Sequence, residues 1–207
     1  MATDENLTKG ERTRQALVDA AYGLFLENGY SATSMRQIAE RAGLALGGIY
    51  NHFSSKDEIF QALMINKHPI MRIFPVLQVA PGNTTDEFIH NVARLVKTEL
   101  GEDPNFMKLM FIEIVEFNGK HLPALISTIF PMALPMLERF MSPGCGVRDN
   151  LPTLKLVRML VGNILAFYLT ELMLSSSALP AGLRDVSLDD FLETFLHGIM
   201  DPQQAKE

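Results

Sequence analysis

Five side chains in the first third of this sequence carry groups suited to one kind of chemistry. Tyr50, Asn51 and His52 are consecutive, Lys56 follows closely, and Arg36 precedes them. A phenol, an amide, an imidazole, an ammonium and a guanidinium are the donors that engage phosphate oxygens and base edges. Just upstream stand Leu46, Gly47 and Gly48. Each glycine costs a helix about 1 kcal/mol relative to alanine, a cost most easily explained by close approach of the backbone to another molecule. A second set could do metal chemistry. Glu87 and His90 have the Glu-x-x-His spacing of di-iron helices, and Glu113 and Glu116 would add carboxylates. That architecture needs two such motifs and two further carboxylates, whereas only one motif is present, so a helical metalloenzyme is the weaker alternative. No nucleophile elbow, phosphate-binding loop or dinucleotide fingerprint occurs; the expectation is no catalytic residue, no metal ligand and no cofactor.

Groups that read DNA need a rigid frame, and the hydrophobic periodicity supplies a helical one. Thr8 and Glu11 are spaced as a capping box, and Leu17, Ala20, Ala21, Leu24 and Phe25 form one apolar stripe before the stop at Asn28-Gly29. Ser34 and Gln37 repeat the capping box ahead of a short helix that stops at Gly43. A third helix is expected from about Ala45 to His52, and a fourth from Ser55. Short helices joined by a tight glycine turn are what a helix-turn-helix requires. Beyond it the pattern predicts helices over about 56–78 (kinked at Pro69), 84–101, 104–118, 121–141, 153–175 and 187–200, with no strand. The breaks are Pro81-Gly82-Asn83, Glu102-Asp103-Pro104, Asn118-Gly119, Ser142-Pro143-Gly144 and Pro180-Ala181-Gly182. The expected fold is all-α: a three-helix head over 8–55 and a six-helix body over 56–207.

Composition agrees. The chain of 207 residues carries a net charge of −6, yet residues 9–56 hold Lys9, Arg12, Arg14, Arg36, Arg41 and Lys56 against Glu11, Asp19, Glu27 and Glu40. A basic head on an acidic body excludes generic nucleic-acid affinity while allowing a local DNA surface. The lone Cys145 excludes a disulfide framework. The N-terminus is polar, and prolines 123, 131 and 135 interrupt the longest uncharged run, so a soluble cytoplasmic protein without membrane contact is expected.

The run Gly43-Leu44-Ala45-Leu46-Gly47-Gly48-Ile49-Tyr50-Asn51-His52-Phe53-Ser54-Ser55-Lys56-Asp57, with Gly29-Tyr30, Thr33 and Ile38-Ala39 before it, resembles the DNA-binding head of the TetR family of bacterial repressors. The resemblance implies that Tyr50, His52 and Lys56 contact the DNA backbone and that Arg36 contacts phosphate or a base. It also implies a homodimer that releases its operator on binding a small molecule. Two positions depart from the pattern. Ala45 stands where Ser or Thr usually caps the recognition helix, forfeiting ~1 kcal/mol, and Leu46 stands where a basic or polar reader is common. The expected DNA-binding set is Arg36, Leu46, Gly47, Gly48, Tyr50, Asn51, His52 and Lys56.

In the body, 153–175 is apolar on nearly every face, which a second chain would bury, and Gly162 and Ala166 would admit the partner's backbone. Helix 187–200 carries Leu188, Phe191, Leu192, Phe195, Leu196 and Ile199 on one stripe and completes the expected homodimer contact. Phe74, His90, Phe106, Met110, Glu113, Phe117, Phe130 and Phe167 are the candidates for an apolar effector site with few polar handles. The alternative is a body that binds a protein instead of a small molecule.

Overall fold

The computed structural model describes residues 7–79, 84–102, 105–140, 152–174, 180, 182 and 185–199. Cys145 and the Pro81-Gly82-Asn83 and Ser142-Pro143-Gly144 breaks lie outside them. The described residues form ten helices: α1 Lys9–Asn28, α2 Met35–Arg41, α3 Leu46–Ile49, α4 Lys56–Lys67, α5 Ile70–Val79, α6 Thr85–Glu102, α7 Phe106–Phe117, α8 Leu122–Phe140, α9 Thr153–Leu174 and α10 Leu188–Ile199. Among the described residues the body therefore shows seven helices where the periodicity predicts six. Pro69 is the cause. Proline disfavours helical backbone in the residue before it, and His68 is extended at φ −65°, ψ 124°, so α4 ends at Lys67 and α5 starts afresh. The sequence predicts a kink; the structure has a break.

Two compact units divide the chain: residues 1–71 with 103–129, and 72–102 with 130–207. In the first, α1 is the central helix and packs on α2, α4 and α7. Its stripe of Leu17, Ala21, Leu24 and Phe25 is buried with Ile38, Ile49, Phe53, Ile59, Phe60, Leu63 and Leu109. Both predicted capping boxes form: Thr8 and Glu11, like Ser34 and Gln37, satisfy each other's backbone N–H groups. Between α2 and α3 the chain turns through Gly43 at φ +72°, a conformation that costs glycine little. There Leu44 N–H donates to the Ala39 carbonyl and Gly43 N–H to that of Glu40, closing a Schellman turn.

In the second unit, α10 packs on both α6 and α9. The core joins Ile73, Phe88, Ala93, Leu156, Leu188, Leu192, Phe195 and Leu196, flanked by Leu160, Ile164 and Phe167. On the opposite face of α9, Leu154, Val161, Leu165 and Leu169 are exposed. By length and composition alone α9 could cross a bilayer.

Candidate nucleic-acid interface

The recognition helix is set by its two ends. Ala45 has extended backbone and offers no side-chain cap, as its methyl group dictates. At the other end Ile49 and Phe53 are buried and pin the helix to the head, while Arg14 of α1 donates from Nη1 to the His52 carbonyl at 2.6 Å and stacks 3.9 Å over the Phe53 ring. Ser55 then caps α4 by accepting from Glu58 N–H. The C-terminal end of α3 is thus anchored, while its N-terminal end carries no side-chain cap.

What remains outward is the predicted reading face. Leu46 and Tyr50, one turn apart, are 45% and 54% exposed, and Gly47 and Asn51 are also exposed. Gly48 and His52 are half-buried. Neither glycine of α3 has positive φ, and a Cβ on Gly47 would meet nothing within 4 Å. Arg36 stands exposed on α2, paired along its own helix with Glu40 at 2.8 Å. Arg41 is engaged instead in a two-pronged ion pair with Glu27 of α1, at 2.6 and 2.7 Å.

Lys56 behaves differently from the rest of the set. Its Nζ donates to the carbonyls of Tyr30 and Thr33, each at 2.6 Å, and burial lowers its pKa. The ammonium closes the α1–α2 loop from below. Nothing in the spacing of the sequence announces that contact, because the partners are 26 and 23 residues away.

The candidate effector residues divide between the units. Phe106, Met110, Glu113 and Phe117 lie in the first, and Phe74, His90, Phe130 and Phe167 in the second. Glu113 is fully buried and already paired: it accepts from His121 backbone N–H and faces its Nδ1, both at 2.7 Å. His121 Nε2 in turn lies 3.3 Å from Asp57 Oδ1, a contact too poorly aligned to count as a hydrogen bond. Asp57 also holds Lys120 at 2.7 Å, which with His121 keeps its carboxyl below the usual range. Phe117 packs edge-on against Tyr30 and His121. Ser31 donates to Glu116 at 2.8 Å, so the α7–α8 corner is fastened to α4 and the α1–α2 loop. The sequence assigns Glu113 and Phe117 to an effector site and does not reveal that fastening. In the second unit His90 pairs with Glu193 at 3.3 Å, and Phe167 packs on Phe191 and Tyr168. Among the described residues no group of three His, Cys, Asp or Glu side chains is arranged to hold a metal ion.

Residues 17–63 match the family described as bacterial regulatory proteins, tetR family. The head of this chain is a TetR-family head. It is 40% identical over 63 residues to the helix-turn-helix transcriptional regulator SrpR of Pseudomonas putida, a match covering 30% of each chain. The chain thus matches less than a third of that relative's length. Curated TetR-family relatives are transcriptional regulators, not enzymes. Similarity of fold to solved structures extends over most of the chain. SmeT, the repressor of the Stenotrophomonas maltophilia multidrug efflux pump SmeDEF, superposes with a TM-score of 0.64 at 25% identity, covering 97% of this chain and 94% of its own. FadR of Bacillus subtilis, solved with stearoyl-CoA, has a TM-score of 0.69 at 24% identity, covering 89% and 98%.

Proposed function

We propose that the chain is a homodimeric transcriptional repressor that binds operator DNA through α2 and α3 and leaves it on binding a small apolar or aromatic effector. The observation that carries the reading is the outward face of α3: exposed Leu46, Gly47, Tyr50 and Asn51 on a helix locked from behind in a TetR-family head. Residues 8–55 act as the DNA-binding domain and 56–207 as the effector and dimerisation domain. Arg36, Tyr50, Asn51 and His52 supply donors to DNA, Gly47 and Gly48 admit its backbone, and Lys56 supports the loop behind them.

The dimer is supported by α9. Its Leu156, Leu160, Ile164 and Phe167 face the α10 core, and the opposite stripe of exposed leucines and valine is too apolar to be left in water. A second copy of α9, with α10 beside it, is the cover proposed. This reading accounts for the apolar length of the helix without a membrane and places the protein in the cytoplasm. The effector class is supported by the aromatic and methionine side chains at Phe74, Phe106, Met110, Phe130 and Phe167, and by the stearoyl-CoA and drug-efflux contexts of the two structural neighbours. Thermal melting against a panel of acyl and aromatic compounds tests it. A compound that raises the melting temperature and releases bound duplex is expected; stabilisers without effect on DNA would leave the body a non-regulatory domain.

A further inference from the structure

Leu46 opens α3 with 45% of its surface in water, whereas Ile49, the other aliphatic residue of that helix, is fully buried. The chain's own packing gives no reason for an apolar side chain there. Its neighbours sharpen the point. Gly47 and Gly48 both have helical φ, so the backbone does not require glycine at either place. A Cβ at Gly47 would touch nothing within 4 Å, and one at Gly48 would only reach Leu44 Cδ2 at 4.0 Å. Alanine would favour the helix at both positions. This face is shaped for something outside the chain to come close, and Leu46 is among the first side chains it meets, with Tyr50 one turn along at 54% exposure.

The inference rests on the DNA-binding reading above and specifies what is read. A branched aliphatic side chain offers no hydrogen bond to a base edge. In the major groove the one apolar group a base presents is the thymine 5-methyl. We infer that Leu46 is a specificity-determining residue that packs its δ-methyl groups against a thymine 5-methyl in each half-site, with Gly47 letting the DNA approach closely enough for the contact.

Deoxyuridine isolates that contact, since it differs from thymidine by the methyl alone and keeps the base pair. A duplex enriched from random DNA by the full-length protein is remade with each thymine replaced in turn. At one thymine per half-site affinity should fall about fourfold, the worth of one buried methyl group. The same replacement should cost Leu46→Ala nothing. Leu46 is exposed, so the variant should melt with the wild type, which a thermal scan verifies. Equal binding of every uracil duplex by the wild type would overturn the inference, as would a uracil penalty that survives in Leu46→Ala, or enriched sites without thymine. Failure to enrich any duplex would instead overturn the DNA-binding reading beneath it.

Discussion

The ammonium of Lys56 lies 4.1 Å above the ring of Tyr30 and donates to that residue's own carbonyl at 2.6 Å. One side chain of α4 therefore holds the α1–α2 loop by charge, hydrogen bond and ring face together. Lys56→Ala should lower stability by about 1.5–3 kcal/mol, as expected for lost hydrogen bonds from a charged donor. DNA affinity should fall with it. The salt dependence of binding separates the two roles: a slope reduced by about one marks a phosphate contact as well, and an unchanged slope marks a purely supporting one.

The buried pair of Glu113 and His121 gives the sharpest stability prediction. Removing one partner of a buried hydrogen-bonded pair leaves the other unsatisfied, and typically costs about 1–3 kcal/mol. Glu113→Ala should approach that loss in denaturant unfolding without any effector present. A change below ~1 kcal/mol would show that the carboxylate is not anchored to His121 and would restore it as a free effector handle.

Much of this was legible beforehand, and the division has a physical cause. Caps and turns are local, so Thr8 with Glu11, Ser34 with Gln37 and the stop at Gly43 could be read from spacing and are found. Leu46, Gly47, Tyr50 and Asn51, singled out from the same local pattern, are exposed. Lys56 with Tyr30, Lys120 with Asp57 and Ser31 with Glu116 join residues 26, 63 and 85 apart, which no local periodicity encodes. The split at Pro69 was visible as a proline, but whether it kinks or ends the helix depends on the residue before it, and His68 is extended.

His68 carries a pH prediction. Burial depresses its pKa from 6.5 to about 4, and its ring stands edge-on to Phe106. The folded state holds the neutral form, so the unfolded chain binds the proton first as the medium acidifies. Its stabilising effect is complete above the unfolded value and is lost as pH falls from 6.5 towards about 4. The wild type should lose melting temperature faster across that window than His68→Gln; parallel curves would show that His68 is not held neutral.

The dimer is tested at a site that harms nothing within one protomer. A Cβ at Gly162 on α9 meets no atom within 4 Å. Gly162→Leu should therefore fold as a monomer, sedimenting at half the wild-type mass and binding DNA weakly. A variant that remains dimeric would place the partner on another face.

Gly47→Ala separates folding from binding. The added methyl group has open space and a better helix former behind it, so stability should hold or rise by up to ~1 kcal/mol, while DNA affinity drops at least severalfold. Unchanged affinity would mean that no molecule approaches α3 closely.

Selection of bound sequences from random duplex DNA by the full-length protein bears most directly on the DNA-binding function. Two copies of the α3 face docked side by side should enrich inverted half-sites centred about 34–36 Å apart, one helical turn. A bound pool indistinguishable from the input would contradict sequence-specific DNA binding by this chain.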